Sequence, residues 1–207
     1  MPMKLFKVFQ ILMLIISEEI DQSEKHGKEV DEDGLISVDF SFDAQWDKRF
    51  GFNSLVGGGA AIGKLTGQVI AFGVKVKRCS VCQWAEQYNK AKPKHKCYFN
   101  HTGSAKSMKT AIGVDIAKEI RTKGATTDTI TMDEDTSVIK NMKEQVPHGE
   151  NINKSSDVNH LKKIYVHNLS AVKNDKHYLS NPKEEYYHLY NMQHLVECFT
   201  SGGKISQ

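Results

Sequence analysis

Two acids and a cluster of cysteines are the residues of this chain whose types and spacing could do chemistry. Asp43 closes an alternating run in which Ile36, Val38, Phe40 and Phe42 share one face by period two. Asp133 follows a β-branched run, TTDTITM, over residues 126–132. An acid at the end of a central strand is anchored by the sheet yet open to a substrate. Asp39, opposite the apolar face, reads either as a second acid or as a solvated strand residue. The Asp-Glu-Asp turn at 133–135 reads either as a site or as a capped helix start, with Asp135 or Thr136 as the cap.

The cysteines point to a different chemistry. Cys79 and Cys82 have the C-x2-C spacing that lets two thiolates converge on one tetrahedral ion. His95 and Cys97 supply a second pair after a loop of twelve residues, and His101 is an alternative to His95. A Cys3His set suits a closed structural Zn2+ site. Cysteines without a metal are the bland alternative. Redox catalysis is the weaker option, because no strand–helix junction frames the motif. The loop is basic and carries Trp84 and Tyr88, with Lys90, Lys92, Lys94 and Lys96 available to contact DNA. Further on, Asp157 and His160 stand three apart at a helix start and share one face. A substrate-positioning role and an ordinary structural histidine are equally open there.

The elements that must position these residues follow in order. Residues 3–22 read as a helix and 23–34 as an acidic polar linker. Within the helix, residues 5–16 (LFKVFQILMLII) resemble a signal-peptide core, but Lys7 and Gln10 interrupt it. It is too short to span a bilayer, so a packed amphipathic helix is expected, with no stable membrane partner. The triple glycine at 57–59 permits a tight turn or close backbone approach, and no Gly-Lys-Ser or Gly-Lys-Thr completes a phosphate loop. Residues 60–63 and 68–76 read as two antiparallel strands. Met108, Ile112, Ile116 and Ile120 then form a core-facing helical stripe, stopped by Gly124. Helices are expected after residue 135, from about 156, and from Pro182, whose acids are Glu184, Glu185 and Glu197.

A chain of 207 residues with 39% hydrophobic and 26% charged residues can bury one substantial core. Its net charge of +3 is uneven: residues 1–36 carry four lysines against eight acids. The rest is therefore basic, which permits a nucleic-acid partner without establishing one. Three antiparallel strands, a helix, and a fourth strand beside the first match the opening of a ribonuclease-H-like α/β fold. In that arrangement Asp43 and Asp133 come to adjacent strand ends, where two carboxylates can hold Mg2+ or Mn2+.

Several segments in this order resemble the Mutator-like transposases in their invertebrate form. They are SFDAQWDKRFGFNSLVGGGAAIG, GQVIAFGVKVKRCSVC, PKHKCYFNHTGSAKSM, TMDEDTS and SSDVNHLKK, spanning residues 36–169. The resemblance implies a DDE-type enzyme that cleaves DNA at transposon ends and transfers strands, in the nucleus, with a homo-oligomer conceivable. It makes Asp43 and Asp133 the first two catalytic acids and metal ligands, and Asp157 with His160 the Asp-x2-His pair. Cys79, Cys82, His95 and Cys97 become its zinc-binding insertion. The implied organisation is residues 1–34 as an N-terminal helix and linker, 35–200 as a transposase-like domain with 77–103 as the insertion, and 201–207 as a polar tail. Lys109 stands where the family favours an acid, and no motif assigns the third acid. The resemblance therefore also implies a derived or truncated copy, incomplete at its C-terminus, with a non-catalytic DNA-binding or protein-interaction module as the alternative.

Overall fold

A computed structural model describes residues 3–47, 54–133, 135–147 and 149–174. The expected helix from Pro182, with Glu184, Glu185 and Glu197, lies outside these residues, as do Lys48, Arg49, Glu134 and Cys198. Two compact units are present, residues 1–157 and 158–207. The first holds a five-stranded sheet in the order β3-β2-β1-β4-β5. Its strands are β1 (Ile36–Trp46), β2 (Val56–Gly63), β3 (Val69–Val76), β4 (Ala125–Met132) and β5 (Asn153–Ser156). The first three are antiparallel neighbours, whereas β4 runs parallel to β1 and β5 parallel to β4. This is the mixed sheet of a ribonuclease-H-like fold.

Helix α3 (Ala105–Thr122) covers one face. Ser104 caps it by accepting from the Ser107 N–H, and the stripe of Met108, Ile112, Ile116 and Ile120 is fully buried. The glycine tract is where the sequence reading needs correction, because residues 57–59 lie inside β2 rather than in a turn. Close approach is the reason for them. A Cβ at Gly59 would stand 2.9 Å from Ile112 Cγ2, and one at Gly57 would stand 2.9 Å from Trp46 Cζ3. A side chain at Gly59 would lift α3 off the sheet, and one at Gly57 would displace Trp46. Two further elements escaped the sequence. Helix α2 (Ser80–Gln87) lies within the cysteine segment, and β5 is the polar tetrapeptide Asn-Lys-Ser-Ser, whose composition carries no strand signal. Helix α4 (Thr136–Gln145) is capped by Asp135 and buries Val138 and Met142. The second unit's described element is helix α5 (Val158–Asn174), which bears His160.

Helix α1 (Met3–Lys25) packs against β1 and β3. No described helix is long and apolar enough to cross a membrane. Ile16 and Glu19 are buried. Glu19 accepts from the Leu65 N–H at 3.1 Å, the Thr66 N–H at 2.9 Å and the Thr66 hydroxyl at 2.6 Å. It thereby closes the β2–β3 turn, and it leaves no room for a side chain at Gly63. Residues 23–34, read as a polar linker, are tied down by charge. Lys28 contacts both Asp39 and Asp128 at 2.9 Å, and Arg121 holds Asp31 and Asp33. Partial burial alone would lower the Lys28 pKa, but the two carboxylates outweigh it and raise it. Asp39 is thus a structural partner, accepting from the Thr129 N–H at 3.2 Å as well as pairing with Lys28.

Removing the Glu19 carboxyl should strand the turn's donors. Glu19→Ala is expected to lower unfolding stability by about 2–3 kcal/mol. Glu18→Ala, at an exposed position bonded to Gln68, should change it by less than about 0.5 kcal/mol. Urea denaturation of both variants checks the difference.

Candidate functional site

The side chains of the cysteine segment converge. Cys79 precedes α2 and Cys82 lies in its first turn, which brings the two sulfurs to the same end of a short helix. His95 and Cys97 return along an irregular segment. Its far end is stapled to β3, where Asn100 accepts from the Val76 N–H and donates to the Val74 carbonyl. The ligand atoms of Cys79, Cys82, His95 and Cys97 all lie within 4.8 Å of one another. His95 Nε2 is 3.2 Å from Cys79 Sγ and 3.5 Å from Cys82 Sγ, and the Cys82 and Cys97 sulfurs are 3.7 Å apart. Tetrahedral zinc with Zn–S bonds of about 2.3 Å sets its sulfurs about 3.8 Å apart, so the quartet matches the shell of such an ion. His95 Nδ1 lies 2.8 Å from the Pro93 carbonyl, a contact that fixes the ring with Nε2 facing the sulfurs. His101 instead meets Ser107 Oγ at 2.9 Å, and His95 is the histidine that stands among the three sulfurs.

The thiols and the imidazole of this cluster shift one another's protonation. The Cys82 N–H, followed by His95, draws the Cys79 thiol down to about 6. Desolvation and the neighbouring sulfurs push Cys82 up to about 11. The bond to Pro93, then Cys97 and Cys79, raises His95 to about 9. At pH 7 without metal, His95 is therefore cationic and Cys82 protonated.

The acids are arranged differently. The parallel register pairs Ser41 with Thr131, and Met132 with Ser156. Carried one or two residues onward, it sets Asp43, Asp133 and Asp157 at neighbouring positions across β1, β4 and β5, with strands about 4.8 Å apart. The Asp157 N–H donates to the Met132 carbonyl at 3.0 Å, which extends this pairing to its last residue. Asp43 is exposed and lies three residues before the end of β1. It alternates with Phe42 and Ala44 of the core side, so its side chain leaves the sheet on the face away from α3. Asp133 is drawn the other way. Its Oδ2 meets the Lys109 ammonium of α3 at 2.5 Å, and its Oδ1 accepts from the Asp135 N–H at 3.3 Å. The Lys109 side chain is 8% exposed. Among the described residues, the Cys/His quartet is the one group of three or more potential ligands that closes around a point. The acids share a sheet edge without closing. His160 belongs to the second unit.

The donor types still suit a hard divalent ion, since carboxylate oxygens are what Mg2+ and Mn2+ take. The ammonium on Asp133 is a stand-in cation that marks where positive charge is accepted. Lys109 was visible in the sequence only as a basic residue in place of an acid; its contact with Asp133 was not. The Pro93 carbonyl that orients His95 carries no sequence signal at all.

Zinc binding at pH 7 should release at least about two protons, one from His95 and one from Cys82, to which any proton on Cys97 adds as that thiol becomes a thiolate. Calorimetry in buffers of different ionisation enthalpy measures that number. The sign of the pH effect follows: affinity rises with pH, and zinc is lost as pH falls below the Cys79 value of about 6. Cys97→Ser should remove stoichiometric zinc while the far-ultraviolet dichroism of the sheet core persists.

No curated protein and no solved structure matches this chain. A family model described as Mutator-like transposase matches residues 2–200, which contain the sheet, the acids and the Cys/His quartet. On that match, the chain belongs to the Mutator-like transposases.

Proposed function

We propose that this chain is the DNA-handling domain of a DDE-type transposase, acting in the nucleus on transposon ends by strand cleavage and strand transfer. The observation that supports it most is the register of Asp43, Asp133 and Asp157 across β1, β4 and β5. Three separate segments, 114 residues apart at their extremes, deliver carboxyls to one sheet edge. With its carboxylate turned from Lys109 to the face of Asp43, Asp133 would hold Mg2+ or Mn2+ together with Asp43, and the ion would activate the attacking hydroxyl and stabilise the leaving oxygen. Asp157 supplies a third carboxyl to the same edge, and His160 three residues later orients the DNA backbone. Glycine packing under α3 seats the helix against β2, the neighbour of the strand that carries Asp43, and the Asp43 carboxylate accepts from the Ala44 N–H at 2.7 Å. The Cys/His quartet, loaded with Zn2+, organises a basic insertion that contacts DNA. A second copy of the chain is a natural partner for an enzyme that handles paired transposon ends.

One observation favours a second reading, a DNA-binding module that does not cut. Lys109 supplies Asp133 with a cation that belongs to the chain and does not exchange. A divalent ion must displace that ammonium from Oδ2 to bond there.

Both readings meet in one measurement: nicking of duplex DNA bearing the flanking terminal repeats, with Mg2+ or Mn2+. The enzyme reading expects cleavage that falls at least about a hundredfold in Asp43→Asn. DNA bound with equal affinity by both proteins and cut by neither would leave the binding module standing and remove the enzyme.

A further inference from the structure

The segment over residues 77–103 concentrates both charge and exposed aromatic surface. It carries six basic residues against one acid, in a chain whose net charge is +3. Trp84, Tyr88, Tyr98 and Phe99 are all exposed, with Tyr98 the most open at 62%. A folded domain rarely leaves four large rings in water within sixteen residues unless they meet something. Two of the rings already carry a lysine. The Lys90 ammonium sits 5.2 Å from the Trp84 ring centre, and the Lys96 ammonium 5.1 Å from the Tyr98 ring centre. Tyr88 leans on Trp84 with ring centres 5.6 Å apart.

The Cys/His quartet brings these pairs together. Trp84 lies two residues after Cys82, and Tyr98 directly follows Cys97. The Cys82 and Cys97 sulfurs are 3.7 Å apart, so both aromatics spring from backbone anchored at one point. The interior of the segment has little else to hold it, since Ala85 is the one buried residue of α2.

We propose that this surface binds single-stranded DNA, with Trp84 and Tyr98 stacking on unpaired bases while Lys90 and Lys96 meet the flanking phosphates. An exposed ring needs a base face, and a base offers its face only when it is out of the duplex. Lysines without an interleaved aromatic would serve a duplex equally well, because phosphates are present in both forms. The pairing of each ring with one ammonium matches the repeat of a single strand, one base and one phosphate per nucleotide. The inference rests on the proposed function only in taking DNA as the partner, and it requires no strand cleavage.

The test uses the full chain loaded with zinc, a labelled fifteen-nucleotide oligo-dT, a duplex of the same length and oligo-U, all at one salt concentration. Fluorescence anisotropy is expected to give oligo-dT at least about tenfold tighter binding than duplex. Trp84→Ala and Tyr98→Ala should each weaken oligo-dT binding about five- to a hundredfold and leave duplex binding within about twofold. Both positions are exposed, and retention of stoichiometric zinc verifies that the segment stays folded in each variant. Duplex binding as tight as oligo-dT binding overturns the inference and leaves the proposed function intact. So does oligo-dT affinity unchanged in both variants. Tighter binding to oligo-U overturns the assignment to DNA. Failure to bind any of the three overturns the inference together with DNA as the partner.

Discussion

The parallel pairing of β1 with β4 is the contact on which everything else in the first unit depends. It joins segments about ninety residues apart, and nothing local in either strand demands it. The pairing follows from what happens between them. Strands β2 and β3 build outward from β1 on one side, and α3 then crosses one face and delivers β4 to the other side. The apolar stripe of α3 can reach the sheet only because Gly57, Gly59 and Gly73 leave space beneath Ile112 and its neighbours. With the helix seated, β4 pairs with the edge offered by β1 rather than with that of β3. The register of that edge then decides where Asp133 lies relative to Asp43, and β5 repeats the logic for Asp157.

Much of this was legible in the sequence because it is periodic. The alternation from Ile36 to Phe42 and the four-residue spacing of α3 each bury one face, and burial is what pattern reports. Misread or unseen features had other causes. The glycines of β2 carry no periodicity, and their purpose is the absence of a side chain against a distant helix, which a strand sequence does not display. Strand β5 is polar, and pairing with β4 rather than any propensity makes it a strand. The 23–34 segment looked like a linker because it has little to bury. Its order comes from Lys28 between Asp39 and Asp128, and from Arg121 reaching Asp31 and Asp33 across some ninety residues. Charge partners at such separations leave no mark on local composition.

The two candidate centres differ in legibility for a chemical reason. Metal-binding thiolates must converge tightly, so their spacing is constrained and visible, and the choice between His95 and His101 was the one left open within the ligand set. Carboxylates at strand ends are constrained through sheet register, which the sequence conveys only once the topology is known. Their side-chain directions are freer still. The opposition between an outward Asp43 and an Asp133 drawn inward by Lys109 could not be read before the helix was in place.

The first turns of α3 tie these centres together physically. The insertion ends at Asn100 and His101, which bind β3 and Ser107. Ser107 in turn donates its N–H to the Ser104 cap, and Lys109 follows two residues later. The same stretch therefore terminates the metal-binding segment, starts the helix that fixes the sheet, and carries the ammonium that occupies Asp133. A metal held by Cys79, Cys82, His95 and Cys97 would order the chain leading into that turn. Its loss would remove a restraint on Ser104 and Ser107 before any on Ile112 or Ile116, whose burial is secured by the sheet. Lys109 lies between these regimes, one side chain from the cap and next to the fully buried Met108. Whatever displaces its ammonium from Asp133 must act against packing that the sheet maintains and a cap that the insertion helps to hold.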